Sequence, residues 1–309
     1  MKINLPALFF LFLCLTNAHA QTSKSVPLPA EADAFKFFVI GDWGRNGEHH
    51  QQDVANVMGQ AGDNFEPEFV INVGDNFYCC GVASTTDPQW QVSFENVYKA
   101  HSLNIPWYSI LGNHDYHGNP QAQIDYSKVS QRWKMPARYF TNVQEGVRFV
   151  YLDTNPFNKK YVKNAHEYAD VAQQDTKKQL AWLDSVLTTS PEAWKIVVGH
   201  HPVFSTGKHG HTPELIEQLK PILDKHHVQA YFCGHDHDLQ HQQPADSGVA
   251  YFVSGAGSES RANKPDPAMT KFAKATSGYM AVAIKKDLMT IYAIDYKGNV
   301  IYKTSVKQK

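Results

Sequence analysis

Gly234-His235-Asp236-His237 follows directly on the apolar run Tyr231-Phe232-Cys233. A strand that ends in two histidines one residue apart can turn each ring nitrogen toward a different cation. Four earlier stretches end in the same manner. Phe37-Phe38-Val39-Ile40 runs into Gly41-Asp42-Trp43-Gly44, and Phe69-Val70-Ile71-Asn72-Val73 into Gly74-Asp75-Asn76-Phe77-Tyr78. Tyr108-Ser109-Ile110-Leu111 runs into Gly112-Asn113-His114-Asp115, and Ile196-Val197-Val198 into Gly199-His200-His201-Pro202. Loops at the carboxyl ends of strands are where an open α/β sheet places its ligand site. Five such loops therefore predict an α/β fold with one site gathered from all of them.

Taken singly these stretches say little. Gly41-Asp42-x-Gly44 by itself is an ordinary turn, and so is Gly74-Asp75. Gly112-Asn113-His114-Asp115 says more, because a turn does not require Asn, His and Asp together. The five in this order supply Asp42, Asp75, Tyr78, Asn113, His200, His235 and His237 as donors. Hard cations take carboxylate and phenolate oxygens, whereas borderline divalent ions accept imidazole. One carboxylate can bridge two cations, and a pair ~3.5–4 Å apart can clamp a phosphate. A trivalent and a divalent ion would outweigh two carboxylates, a phenolate and a bridging hydroxide by a small positive charge. Neutral Asn113 keeps that surplus, which a phosphomonoester anion can meet. His49, His50, His166, His226 and His227 fall in helical or polar stretches and read as solvated, and His117, His211 and His241 receive no role.

A chain of 309 residues can bury a large core. Its 19% charged and 42% hydrophobic residues are ordinary for a soluble globular protein. The net charge of −1 leaves no electrostatic footprint for nucleic acid or an acidic membrane surface. Sixteen histidines would charge progressively below pH ~6.5, which suits a protein working in acid.

Residues 1–20 read as an export signal. Lys2 precedes the apolar Leu5–Leu15 stretch, and Ala18-His19-Ala20 has the small-x-small form of a cleavage site. The apolar part is shorter than the ~20 residues a bilayer span requires. Export to the periplasm or medium after cleavage near Ala20 is the expectation, with residues 21–34 as a flexible lead-in and 35–309 as one catalytic domain. The mature chain keeps Cys79, Cys80 and Cys233. The first two could form a vicinal disulfide, one of them could reach Cys233, or all three could be buried thiols.

From Ala34 onward strands and helices alternate, which argues for parallel βαβ units. Helices are expected over Asn46–Gln60, from Asp87-Pro88 through Trp90, Phe94 and Val97, over Gln121–Trp133, over Thr176–Leu187 and over Thr212–Lys225. Pro221 must kink or end the last of these. Arg138–Asn142 and Val147–Leu152 read as paired strands. Asn155–Asp175 reads as a surface excursion bordering the site. Val249–Val253, Tyr279–Ile284, Leu288–Ile294 and Val300–Thr304 suggest a second, largely antiparallel sheet, with Arg261–Thr276 as a loop among them.

The five blocks resemble the signatures of the purple acid phosphatases, which are calcineurin-like metallophosphoesterases, and in particular the small tartrate-resistant type. Gln123–Trp133, Lys208-His209-Gly210 and Leu239-Gln240 are similar as well. The resemblance covers residues 35–255 well and the tail loosely. It implies a sandwich of two mixed β-sheets flanked by helices, and a phosphomonoesterase that uses a metal-held hydroxide. By the same resemblance Asp42, Asp75, Tyr78 and His237 hold Fe(III), while Asp75, Asn113, His200 and His235 hold a divalent iron, zinc or manganese. Asp75 bridges the pair, and His114 and His209 act as outer-sphere acids. Tyr78 separates this type from related phosphodiesterases. Lys208 departs from it, standing where mammalian relatives carry an acid, and Arg261–Thr276 only loosely matches their regulatory loop. Small phosphomonoesters, nucleotides and phosphoproteins among them, are the expected partners. Two other functions would use the same donors: a phosphodiesterase or nucleotide pyrophosphatase, and a non-catalytic periplasmic phosphate- or metal-binding protein.

Overall fold

The computed structural model describes residues 32–308, together with Met1, Leu28 and Pro29. The expected leader and most of the lead-in lie outside the described residues. The chain first supplies β1 (Phe35–Ile40), β2 (Phe69–Asn72), β3 (Trp107–Ser109) and β4 (Trp133–Lys134), paired in parallel. It then lays down β5 (Phe140–Gln144), β6 (Val147–Tyr151), β7 (Trp194–Val198), β8 (Ala230–Cys233), β9 (Leu239–Gln242), β10 (Ala250–Ser254) and β11 (Thr270–Lys274). These seven form one sheet in the order β11-β9-β10-β8-β7-β6-β5. Finally β12 (Gly278–Lys285), β13 (Leu288–Asp295) and β14 (Val300–Lys307) return to the first sheet, which reads β14-β13-β12-β1-β2-β3-β4.

Period-two alternation explains why the strands are apolar on both faces. In β1, Phe35, Phe37 and Val39 point between the sheets, where they join Phe149, Ile196 and Phe232. Phe37 stacks on Phe69 at 5.1 Å and meets Phe149 edge-on at 5.4 Å. The alternate residues Phe38 and Ile40 pack outward against Val54, Met58, Ala61 and Phe65 of α1 (Gln51–Phe65). A third cluster covers the outer face of the second sheet, where Leu183, Leu187, Leu215 and Leu223 meet Val197, Tyr231 and Tyr251.

The helices depart from their expected limits for local reasons. α1 starts at Gln51 because Asn46, His49 and His50 take positive φ, and it ends where Glu66 does the same. The segment after Asp87-Pro88 makes only a wide helical turn, Trp90–Glu95, wedged into the cluster of Trp43, Trp90, Trp107 and Trp133. The expected Gln121–Trp133 helix stops early. α2 (Pro120–Tyr126) is followed by Trp133 pairing with Trp107 as strand β4. Between β6 and β7 lie α3 (Lys159–Lys163) and α4 (Thr176–Thr188). Pro221 divides the next helix into α5 (Pro213–Gln218) and α6 (Lys220–Lys225), as expected of a residue that cannot donate to the preceding turn. No helix among the described residues is long and apolar enough to cross a membrane.

The expectation of a separate antiparallel sheet in the tail is corrected. β10 lies parallel to β8 inside the second sheet. β12 pairs antiparallel with β1, so β12–β14 extend the first sheet instead. The free edge of β1 takes β12 because Met280, Val282 and Ile284 then complete the apolar layer between the sheets. Arg261–Thr276 is likewise not all loop, since β11 within it pairs with β9.

Candidate metal centre

The loops that follow β1, β2, β3, β7 and β8 meet at one end of the sandwich, three from the first sheet and two from the second. All seven expected donors converge there. The Tyr78 hydroxyl lies 3.1 Å from Asp42 Oδ1, 3.0 Å from Asp75 Oδ2 and 3.1 Å from His237 Nε2. On the other side of Asp75, its Oδ1 is 3.4 Å from His200 Nε2, and that nitrogen is 3.2 Å from Asn113 Oδ1. The rings of His200 and His235 are 5.1 Å apart. Asp75 thus turns one oxygen toward each half of the donor set.

The backbone explains how residues from different strands come so close. Asp42, Asp75 and His235 sit at φ of 58°, 51° and 70°. Such left-handed conformations cost roughly 1–3 kcal/mol each and occur where the surroundings impose them. Gly74 is required twice over. Its φ is +93°, and a Cβ there would stand 2.7 Å from His200 Nδ1 and 2.8 Å from the Gly112 nitrogen. At Gly112 a Cβ would collide with the Asp75 carboxylate itself.

A second layer of hydrogen bonds fixes the donors. The Val73 carbonyl lies 2.8 Å from His200 Nδ1, so that nitrogen donates and Nε2 is left to face the site. The His235 amide donates to Asp42 Oδ2 at 3.0 Å. The buried Asp115 carboxylate accepts from the amides of Gly112 at 2.8 Å and Asn76 at 3.0 Å, and from Gln123 Nε2 at 2.8 Å. This ties the second and third loops together.

Burial sets unequal charge preferences. Burial, reinforced by the charge of Asp75, pushes the Asp42 carboxyl well above the usual range. Burial acts on Asp75 in the same sense, but the His200 charge and hydrogen bond prevail and hold it well below. His200 is raised to about 9 despite its burial by the carboxylates of Asp75 and Asp42. His235 is driven down by burial and by His201 and His200. Buried carboxylates, a phenol and imidazoles, with neighbouring atoms such as Tyr78–Asp75 and His237–Asp42 3.0 and 3.6 Å apart, form a donor set suited to cations. Donor atoms of Asp42, Asp75 and His200, and of His200, His201 and His235, lie within 4.8 Å of one another.

His114 and His209 border the same opening. The His114 amide donates to Asp75 Oδ1 at 2.8 Å, and its Nδ1 is 2.5 Å from the Cys79 carbonyl. The His209 amide donates to Asp236 Oδ1 at 2.7 Å, and its ring lies 4.3 Å from that of His235. Both line a pocket of about 140 Å³ with Asn113, Lys160, Tyr161, Tyr168 and Arg261. The Asn155–Asp175 excursion therefore does border the site.

Sequence reading missed several neighbours. His201 is buried against His235, with Nδ1 2.8 Å from Thr154 Oγ1 and Nε2 3.3 Å from the Tyr161 hydroxyl. Both nitrogens are engaged, so it supports the site from behind. Its place beside His200 was the only signal. Arg45 lies 3.9 Å above the Tyr78 ring and 2.9 Å from Glu259, contacts that no local pattern announces. Among the open cysteine alternatives the structure has the Cys79–Cys80 disulfide, with Cys233 a buried thiol.

Residues 35–239 match the family model of calcineurin-like phosphoesterases. Purple acid phosphatase 3 of Arabidopsis thaliana is 36% identical over 97% of this chain and 86% of that protein. Mouse tartrate-resistant acid phosphatase type 5 is 34% identical over 93% of this chain and 94% of its own length. The chain belongs to the purple acid phosphatases. Purple acid phosphatase PPD1 from yellow lupin seeds shares the fold at a TM-score of 0.68 and 15% identity, over 91% of this chain and 55% of that one. GAP50, the anchor in the inner membrane complex of Plasmodium, shares it at 0.77 and 24% identity, over 89% of each chain. Membership of the purple acid phosphatases implies a dinuclear metal centre, and the buried Asp and His groups are able to bind metal.

Proposed function

We propose that this chain is an exported acid phosphatase that hydrolyses small phosphomonoesters, with Asp42, Asp75, Tyr78 and His237 holding Fe(III). Asp75, Asn113, His200 and His235 hold the divalent partner: iron, zinc or manganese. The observation that carries this reading is the division of Asp75, whose Oδ2 faces Tyr78 at 3.0 Å while Oδ1 faces His200 at 3.4 Å. When bound, such a pair of cations neutralises phosphoryl charge and lowers the pKa of water at the site.

The chain's own groups do the rest. Lys160 and Arg261 bring positive charge to the pocket wall, which favours a phosphate anion. His114 and His209 stand at the rim, where either can hand a proton to the leaving oxygen. The buried Asp115 and Asp236 carboxylates keep the loops that carry these groups in place. Export is supported by the leader pattern of residues 1–20 and by a disulfide, which persists in oxidising compartments.

The test is turnover of purified protein on an aryl phosphate monoester and the matching diester across pH 4–8. Preference for the monoester with an optimum below neutrality is expected. Preference for the diester would transfer the assignment to a phosphodiesterase, and no turnover of either would leave a binding protein.

A further inference from the structure

Beside the 140 Å³ pocket, and joined to it through Arg261, lies a larger cavity of about 650 Å³. Thr206, Lys208, Glu259, Arg261, Asn263 and Lys264 are among its walls. A cavity of that volume takes a small molecule. Backbone hydrogen bonds tie one of its two loops to the segment that carries His237, and the two loops to each other. The Arg261 amide donates to the His237 carbonyl at 2.7 Å, and the Lys264 amide to the Thr206 carbonyl at 2.8 Å.

The charges around it do not balance. Glu259 is already engaged, 2.9 Å from Arg45 and 3.6 Å from Arg261. Asp236 and Asp238 are buried beneath the floor. Asp236 is bonded by Ser205 and the His209 amide, and Asp238 by Gln240 and Asn263. Among the described residues neither Lys208 nor Lys264 has a carboxylate partner, and both are exposed at the cavity. Two unpaired ammonium groups beside a guanidinium match a dianion. A carboxylate would satisfy one of them, and a neutral group neither.

We infer that this cavity is a subsite for a second phosphate carried on the leaving group, so that bisphosphorylated small molecules are preferred substrates. The inference rests on the phosphatase reading and names its substrate class. In the step itself the oxygen of water bonds to phosphorus as the bond from phosphorus to the ester oxygen breaks. The leaving oxygen takes a proton from His114 or His209, and the attacking water releases one, which restores that histidine by way of solvent. Inorganic phosphate and a monophosphorylated alcohol result. The second phosphate stays on Lys208 and Lys264 throughout.

The metal-loaded enzyme is assayed on fructose 1,6-bisphosphate and on fructose 1-phosphate, which differ only in that second group. At low ionic strength kcat/KM should favour the bisphosphate about tenfold, and added salt should erode the preference. Lys208→Gln with Lys264→Gln should bring the ratio near one, any change that Lys208 transmits to the adjacent His209 acting on both sugars alike and cancelling in the ratio. Lys264→Gln alone, which leaves the His209 segment untouched, should give an intermediate ratio. Equal kcat/KM for the two sugars in the unaltered enzyme, or a ratio that the double substitution leaves unchanged, overturns the subsite. If neither sugar nor an aryl phosphate is hydrolysed, the phosphatase reading fails and the subsite falls with it.

Discussion

Replacing Gly112 by Ala adds one methyl group at the most crowded point of the site. Its Cβ would overlap the Oδ1 and the amide nitrogen of Asp75 and stand 2.8 Å from the Asp75 Cα. The backbone at Gly112 is not left-handed, so the effect is steric and not conformational. Relief requires Asp75 to retreat by about an ångström, because the obstructing atoms are backbone and a short, buried side chain. Overpacking of this kind costs roughly 1–3 kcal/mol of stability. A misplacement of that size at a reacting centre costs about a hundredfold in rate. Metal content by plasma mass spectrometry, kcat/KM on an aryl phosphate and the thermal midpoint are measured together. Gly146→Ala serves as the control, since a methyl there meets nothing within 4 Å and is strained only by its φ of +73°. Gly112→Ala should fold and lose most of its metal and activity, while Gly146→Ala should lose only stability. Full metal content and activity in Gly112→Ala would refute the placement of Asp75 between two donor groups.

Tyr78→Phe removes the phenol that stands 3.0 Å from Asp75, and should abolish the visible absorption band expected of a phenolate on ferric iron. Retained colour would reassign that ligand. His114→Ala should slow esters with poor leaving groups more than those with good ones, because only the former need a proton in the transition state. Equal losses would exclude an acid role. His241 is held down to about 4 by burial and the nearby Lys271 charge, and its ring is stacked on Phe252. A histidine kept neutral in the folded state gives full stability above its ordinary pKa of ~6.5 and loses it as pH falls toward 4. The total lies on the order of 3 kcal/mol. Urea midpoints at pH 7 and pH 4.5 should therefore converge in His241→Asn, and an unchanged pH slope in that variant would remove His241 from the account.

The convergence of the candidate donors was readable because each lies in the loop that ends an apolar strand, so that strand order brings them to one edge. Gly74 and Gly112 carry that signal most plainly, since the contacts they allow are the contacts the site needs. The near-continuous apolar run over Phe35–Ile40 likewise announced a strand buried on both faces. What such a run does not encode is the partner of a free edge. Tyr279–Ile284 has the same pattern whether it pairs with β1 or with its own hairpin in a separate sheet, and only the Phe-rich layer between the sheets decides. Helix limits failed where an aromatic was claimed by packing. Trp133 lies within a helical period, yet its ring is drawn into the cluster of Trp90 and Phe94 and its backbone into β4. The segment 155–175 could be placed beside the site, but which of its side chains enter, Tyr161 and Tyr168 with Lys160, follows from how it folds over the pocket, and no local pattern marks Arg45 as the partner of Tyr78.

In the proposed centre one carboxylate, Asp75, lies between two cations. Anomalous diffraction from crystals of the metal-loaded protein, recorded at the iron edge and at that of the second metal, tests it directly. Two peaks ~3.5–4 Å apart, with the Asp75 oxygens divided between them, are expected of this arrangement. A single peak, or two peaks in separate cavities with Asp75 touching one of them, would contradict it.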